Sequence, residues 1–258
     1  MTAPTSRQPA IDFDGLALAL QVADSAFPSG AFTASWGIEG MHVSGLVVDA
    51  ATLELAVRQQ VEHRWTTSDR WFVTHGYTAS LVTPGGIASP VTPGGIASLE
   101  VCRLRELDEL CEITMIAPSA RAASRRAGLA MLSAHCAIDV AGSPAATDRL
   151  LTLKTIVGDG ELLGHLPVVH GAVFATIGLP IAAAVIASGV QFVQAMCSAA
   201  LRLGVVGHLD AQRVVSVGRR LVVAACAMPL EESPSANVPD ADIAMLAHPA
   251  RDHRLFSC

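Results

Sequence analysis

The sequence is poor in the cations that nucleic acids require. Lys154 is its only lysine, and the net charge is −6 over 258 residues. Affinity for a phosphate backbone comes from neutralising cations, so a nucleic-acid partner is disfavoured. The positive charge falls to 16 arginines, whose planar forks suit bidentate grips on carboxylates. Cysteine is also sparse: six residues, at 102, 111, 136, 197, 226 and 258, share no short spacing and form no Cys-x-x-Cys. A disulfide framework is disfavoured in a domain this large, and a reducing cytoplasm is the expected location. The opening "MTAPTSRQPAIDFDG" has no long apolar run and carries Asp12 and Asp14, unlike a secretory signal.

Catalytic signatures are missing too. A P-loop needs glycines before Lys-Ser/Thr, and "TDRLLTL" ahead of Lys154-Thr155 has none. The nucleophile elbow G-x-S-x-G does not occur; Ser29-Gly30 is flanked by Pro28 and Ala31. The pairs His165/His170 and His248/His253 are five apart, which on a helix turns the side chains roughly 140° from one another, so neither pair chelates. Asp108, Glu109 and Glu112, beside Arg103 and Arg105, read as a solvated charged face. None of these motifs assigns a catalytic site, a resident metal or a cofactor.

Charge is absent altogether from Leu162 to Leu201, 40 residues without Asp, Glu, Lys or Arg. A membrane helix takes about 20 mostly apolar residues, so a membrane-associated α-helical protein using residues 162–201 is the rival reading. Against it, Gly164, Pro167, Gly171, Gly178, Pro180 and Gly189 break the run, His165, His170, Gln191 and Gln194 interrupt it, and no basic cluster flanks it. Buried core helices explain it better, and no membrane partner is expected.

What is present is helical periodicity, in a chain that is 51% hydrophobic. Leu16, Leu20 and Ala23 share one face of a first helix that Pro28 ends. A second, capped by Ser29 or Thr33, carries Phe32, Trp36 and Met41. Asp49 caps a third with Leu53, Val57, Val61 and Trp65 at steps of four. A fourth starts near Ser68 or Asp69. "VTPGGIASPVTPGGIAS" then repeats VTPGGIAS around Pro90; its glycines and prolines make residues 82–98 a loop. Further helices run from Leu99 to Met115, from Pro118, from Ser143-Pro144, from Pro167 and Pro180, and from Asp210 to Met228, with a short one over Asp240–Ala247. The fold class is all-α: a single bundle of about ten helices over residues 14–229, after a flexible start (1–13) and before a flexible tail (230–258).

The stretch "ADSAFPSGAFTASWGIE", Ala23 to Glu39, crowds Asp24, Ser25, Pro28, Gly30, Phe32, Ser35, Gly37 and Glu39 together. Two readings compete. One is a catalytic turn acting through Asp24, Ser25 or Ser35; the other is a helix-to-helix corner. The stretch resembles the N-terminal signature of the urease accessory protein F family. "PSARAASRRAG" resembles that family's Pro-Ser…Ala-Ser-Arg-Arg helix, and Gly164, His165, Pro167, Val168 and Val169 resemble its Gly-His-x-Pro-Val-Val segment. "AALRLGVVGHLDAQRVV" resembles a further signature through Asp210, Gln212 and Arg213, and the family ending is similar to Arg254-Leu255-Phe256. Ala31, Ala34, His208 and the duplicated loop depart from the pattern.

The resemblance implies an all-α, cytoplasmic, homodimeric chaperone that is not an enzyme. It would join a UreD/UreH-type accessory protein on apo-urease and recruit a UreG-type GTPase, so that nickel is inserted into urease. It favours the corner over the catalytic turn. Arg254, Leu255, Phe256, Arg125, Arg126, Asp210, Gln212 and Arg213 are the candidate partner contacts, and Gly164, His165 and Pro167 join the Asp24–Glu39 positions as structural motifs.

Overall fold

A computed structural model describes residues 12–28, 30, 34–81, 96, 98–138 and 142–247. Among them every regular element is helical: α1 (Phe13–Val22), α2 (Ile38–Val43), α3 (Ala50–Gln60), a π-helical segment (Val61–Asp69), α4 (Arg70–Ala79), α5 (Ser98–Thr114), α6 (Pro118–Ile138), α7 (Pro144–Gly158), α8 (Leu166–Thr176), α9 (Ile181–Arg202), α10 (His208–Cys226) and α11 (Pro239–Ala247). The third to fifth of these run on without a break, which leaves ten rods. The all-α class expected from the sequence is the one observed.

Local signals set most boundaries. Asp49 caps α3 in a capping box with Thr52, and Leu53, Val57, Val61 and Trp65 are fully buried, as their spacing predicts. Pro118 opens α6, and Pro144 follows the N-cap Ser143 of α7. Where a fourth helix was expected to begin, the chain instead widens into a π-helix, whose Arg64, Thr66, Ser68 and Asp69 are buried. Such segments often mark functional places.

The charge-free run forms α8 and α9. Nine residues of α8, Leu166 to Phe174, are buried. Gly76 and Gly171 let α4 and α8 touch through their backbones: a methyl on Gly76 would lie 2.7 Å from the Val168 carbonyl oxygen. By length and composition α9 could cross a membrane, but 61% of its most apolar stretch is buried inside the bundle. Core packing accounts for its apolar character.

Three expectations need correction. The first helix ends at Val22 rather than at Pro28, because the Asp24 carboxylate accepts the Ala26 N–H at 2.7 Å and competes for the backbone. Trp36 is not helical: it has φ of +51° and Gly37 +90°, so α2 starts only at Ile38. The loose tail cannot start at residue 230. The Ser235 and Asn237 N–H groups donate to the Thr67 and His63 carbonyls at 3.0 and 2.9 Å, and Val238, Ala241, Ala244 and Met245 are buried. Small residues allow this docking, since Gly37 and Gly40 face Ala241 and Ala244. Residues 1–11 of the start expected to be flexible, the expected caps Ser29 and Thr33, Phe32, most of the repeated loop and the Arg254-Leu255-Phe256 ending lie outside the described residues, whereas Asp12 and Phe13 already belong to the cap and first turn of α1.

Candidate interaction site

The Ala23–Glu39 stretch forms a corner. Asp24 and Ser25 are exposed in a turn, whereas Ser35 and Glu39 are buried. Trp36 packs its ring 5.6 Å from Phe192, and the Gln60 side-chain amide donates to the Trp36 carbonyl at 3.0 Å. Pro28 is exposed at the surface, and Gly30 has φ of +73°. The candidates for a catalytic turn are thus split between surface and core.

A different set of charges does converge. α5 and α6 lie against the start of α8, where the first-turn N–H groups have no partner within their own helix. Asp108 supplies one from α5: its carboxylate accepts the Gly164 N–H at 2.7 Å and the His165 N–H at 2.9 Å. Ser124 of α6 accepts the Leu166 N–H at 3.1 Å, and Pro167 has no N–H to satisfy. Gly164 takes φ of +76°, the left-handed region that a side chain disfavours. The solvated-face reading of the α5 acids is therefore wrong for Asp108, which is 1% exposed. It occupies the same inward phase as Leu104 and Cys111.

One turn on, Glu112 links three cationic or titratable groups. It accepts from His165 Nε2 at 2.8 Å, and its other oxygen lies 3.3 Å from Arg121 Nε and 3.4 Å from an Arg125 Nη atom. Arg121 also donates to the Met115 carbonyl at 2.8 Å. Burial pushes the Asp108 carboxyl up to about 6, against the three backbone N–H groups that favour its charged form. Burial pulls the His165 imidazole down to about 4; the bond to Glu112 opposes this, while Arg125 and Arg121 assist it. His165 is thus neutral at pH 7 and, donating from Nε2, keeps its proton there.

The partly exposed arginine forks border apolar surface on one side: Arg121 reaches the Ile116 carbonyl at 3.4 Å just past the end of α5, and Ile116 itself is 59% exposed. Arginine next to exposed aliphatic groups is the chemistry of a protein-binding hot spot. Of the candidates named from the sequence, Arg125, Gly164, His165 and Pro167 meet here, and Arg126 lies on the same helix, exposed. Asp210, Gln212 and Arg213 do not: they sit on α10, where Arg213 pairs with Asp210 at 2.5 Å in solvent. Sequence reasoning missed Glu112, Arg121 and Ser124 as members of the junction.

A second polar group lies deeper, along the π-helical segment. Arg64 and Asp69 form a buried ion pair at 3.6 Å, with the guanidinium 4.7 Å over the Trp36 ring. They line a cavity of about 20 Å³ with His170, Ser188 and Gln191, room for about one water. Burial holds the Asp69 carboxyl above its ordinary value, although Arg64 opposes it, and holds His170 down at about 3. Among the described residues, no group of three or more His, Cys, Asp or Glu is placed to hold a metal ion.

A sequence model of the UreF family matches residues 47–219. The chain belongs to the UreF family. Curated relatives agree over nearly the full length. "Urease accessory protein UreF" of Trichodesmium erythraeum (strain IMS101) is 28% identical over 242 residues, covering 92% of this chain and 94% of the relative. The protein of the same name from Rhodopseudomonas palustris (strain BisB18) is 30% identical, covering 90% and 87%; that from Arthrobacter sp. (strain FB24) is 26% identical, covering 92% and 94%. The α5–α6–α8 junction lies wholly within the part of the chain that the UreF model matches.

Proposed function

We propose that this UreF-family chain is an assembly chaperone for urease. It acts in the cytoplasm as a homodimer that joins a UreD/UreH-type protein on apo-urease to a UreG-type GTPase, so that nickel is inserted. It performs no catalysis of its own. The observation that carries the reading is the arginine pair: Glu112 orients Arg121 and Arg125 beside exposed Ile116, and the guanidinium N–H groups outside these contacts offer donors to a partner's carboxylates. Fixing a fork in advance lowers the ordering cost of binding.

The rival reading, a membrane-associated protein using residues 162–201, loses support from the burial of α8 and α9. Buried as it is, α8 has no surplus apolar surface for a second copy to cover. The homodimer rests on the family resemblance and is tested by sedimentation at micromolar concentration.

The deciding experiment is capture of the tagged full-length chain with the UreD/UreH-type protein, the UreG-type protein and the urease subunits expressed together. Wild type retains the assembly and supports nickel loading of urease. Arg121→Ala/Arg125→Ala loses one partner at least tenfold while its melting temperature stays within a few degrees. Unchanged capture by the double variant removes this site from the interface.

A further inference from the structure

We infer that α1 is a docking helix, and that its occupant is an apolar groove rimmed by lysine or arginine on a protein partner in the urease assembly. The inference rests on the assembly reading above. Only Asp14 and Gln21 are polar in the ten residues of α1, FDGLALALQV. One face is used inside the molecule: Gly15 and Val22 are buried, Leu18 and Ala19 pack on the core, and the Gln191 side chain of α9 donates to the Val22 carbonyl. The opposite face holds Phe13, Leu16 and Leu20, spaced by three and four so that they form one stripe. They are 73%, 51% and 67% exposed. A helix that is apolar all round is expected to be buried all round; here half of it lies in water.

Charge selects the occupant. The ionisable groups along α1 and its ends are Asp12, Asp14 and Asp24, and all three residues are exposed. A second copy would meet like charge in either direction. Antiparallel pairing sets Asp12 and Asp14 against the other Asp24, and parallel pairing sets Asp12 and Asp14 against themselves. Like charges facing each other disfavour both. An anionic membrane surface is repelled for the same reason, since interfacial helices carry lysine and arginine on their polar side. What fits is helix-in-groove binding, with Phe13, Leu16 and Leu20 as anchors and a basic rim meeting the aspartates.

The test uses the full-length chain co-expressed with the tagged UreD/UreH-type protein and, separately, with the tagged UreG-type protein. Wild type is expected to co-purify with one of them, and Leu16→Glu/Leu20→Glu to lower recovery at least tenfold. Asp14→Lys is expected to lower it several-fold, with a weaker effect at high salt. Amide hydrogens of residues 16–22 should exchange more slowly in the complex, and both variants should melt within a few degrees of wild type. If wild type captures a partner and both variants do so equally, α1 is not the docking helix and only this inference fails. Conversion of a dimer to a monomer by Leu16→Glu/Leu20→Glu, with capture intact, means that a second copy covers the face and overturns the assignment. If wild type captures neither protein, the assembly reading itself has failed and the groove with it.

Discussion

Two charge clusters look alike in the sequence and behave differently in the fold. Asp108, Glu112, Arg121 and Arg125 sit on α5 and α6; Asp210 and Arg213 sit on α10. Each is a helical run of acids and arginines at short spacings, which ordinarily means a solvated face. The first is tied to a third element: Asp108 caps the start of α8, and Glu112 bridges His165 to two arginines. The second is a pair three residues apart with the Arg213 side chain 75% exposed. The sign and spacing of the charges do not separate these cases. What separates them is whether a backbone with unsatisfied N–H groups arrives from elsewhere in the chain.

The largest effect should come from removing the cap. Asp108→Ala leaves two buried N–H groups without an acceptor, at about 1–3 kcal/mol each, so a total loss of about 2–5 kcal/mol is expected. Urea unfolding followed by circular dichroism measures it. Asp108→Asn should cost less, because the amide oxygen still accepts one bond. A loss for Asp108→Ala no greater than for Asp210→Ala would abolish the distinction between the clusters.

Next in size is the backbone that the cap holds. Gly164→Ala puts a methyl 2.7 Å from a Val157 side-chain carbon at φ of +76°. A side chain in that conformation costs about 1–3 kcal/mol. The melting temperature should drop, while Gly158→Ala, where a methyl would meet nothing, should not lower it. Equal behaviour of the two glycines would show that the turn has room to relax.

The junction should also respond to pH in two opposing ways. His165 is depressed to about 4, so its contribution is present above its ordinary value of 6.5 and is lost as pH falls from there towards 4. Asp108 is raised to about 6. Its contribution is therefore present at acid pH and is lost as pH rises through 6. Over pH 4–6 the two slopes largely offset each other, with Glu112, Arg121 and Arg125 as the surrounding charges. Asp108→Asn should therefore make stability fall more steeply with acid, and His165→Gln should make it rise. The check is unfolding free energy at half-unit steps from pH 4 to 7; parallel curves for wild type and both variants would overturn the assignment.

How much of this was legible in the sequence follows from the same chemistry. Local signals were readable: the Asp49 cap, the prolines opening α6 and α7, and the four-residue stripe from Leu53 to Trp65. The burial of Asp108 left a trace, since Leu104, Asp108 and Cys111 share one phase of α5 and a carboxylate at an apolar position signals a cap for another element. Its charged neighbours hid that trace. The exposure of Leu16 and Leu20 on α1 left none, because periodicity reports an apolar face and not whether anything covers it. The π-helical segment was equally silent: nothing in VEHRWTTSD distinguishes it from an α-helix, and what its width accommodates are the tertiary contacts of Arg64 and Asp69.

The smallest effect belongs to α10 and completes the contrast. Asp210 is in the first turn of its helix, where a negative charge meets the helix dipole favourably by about 0.3–1 kcal/mol. Its bond to Arg213 adds little, because both side chains are in water and must give up rotamer freedom to pair. Asp210→Ala should therefore cost about 0.5 kcal/mol and Arg213→Ala less, both shrinking as salt screens the dipole and the pair. A double-mutant cycle isolates the pair term from the helix-end term. A coupling near zero, beside a measurable but modest one for Glu112 with Arg121, would mean that the first pair is ordered by its neighbours and the second is surface. If α10 does touch a partner, Arg213→Ala should weaken capture without moving the melting curve; a coupling above about 1 kcal/mol in the free chain would mean that the pair is ordered beyond what its exposure allows.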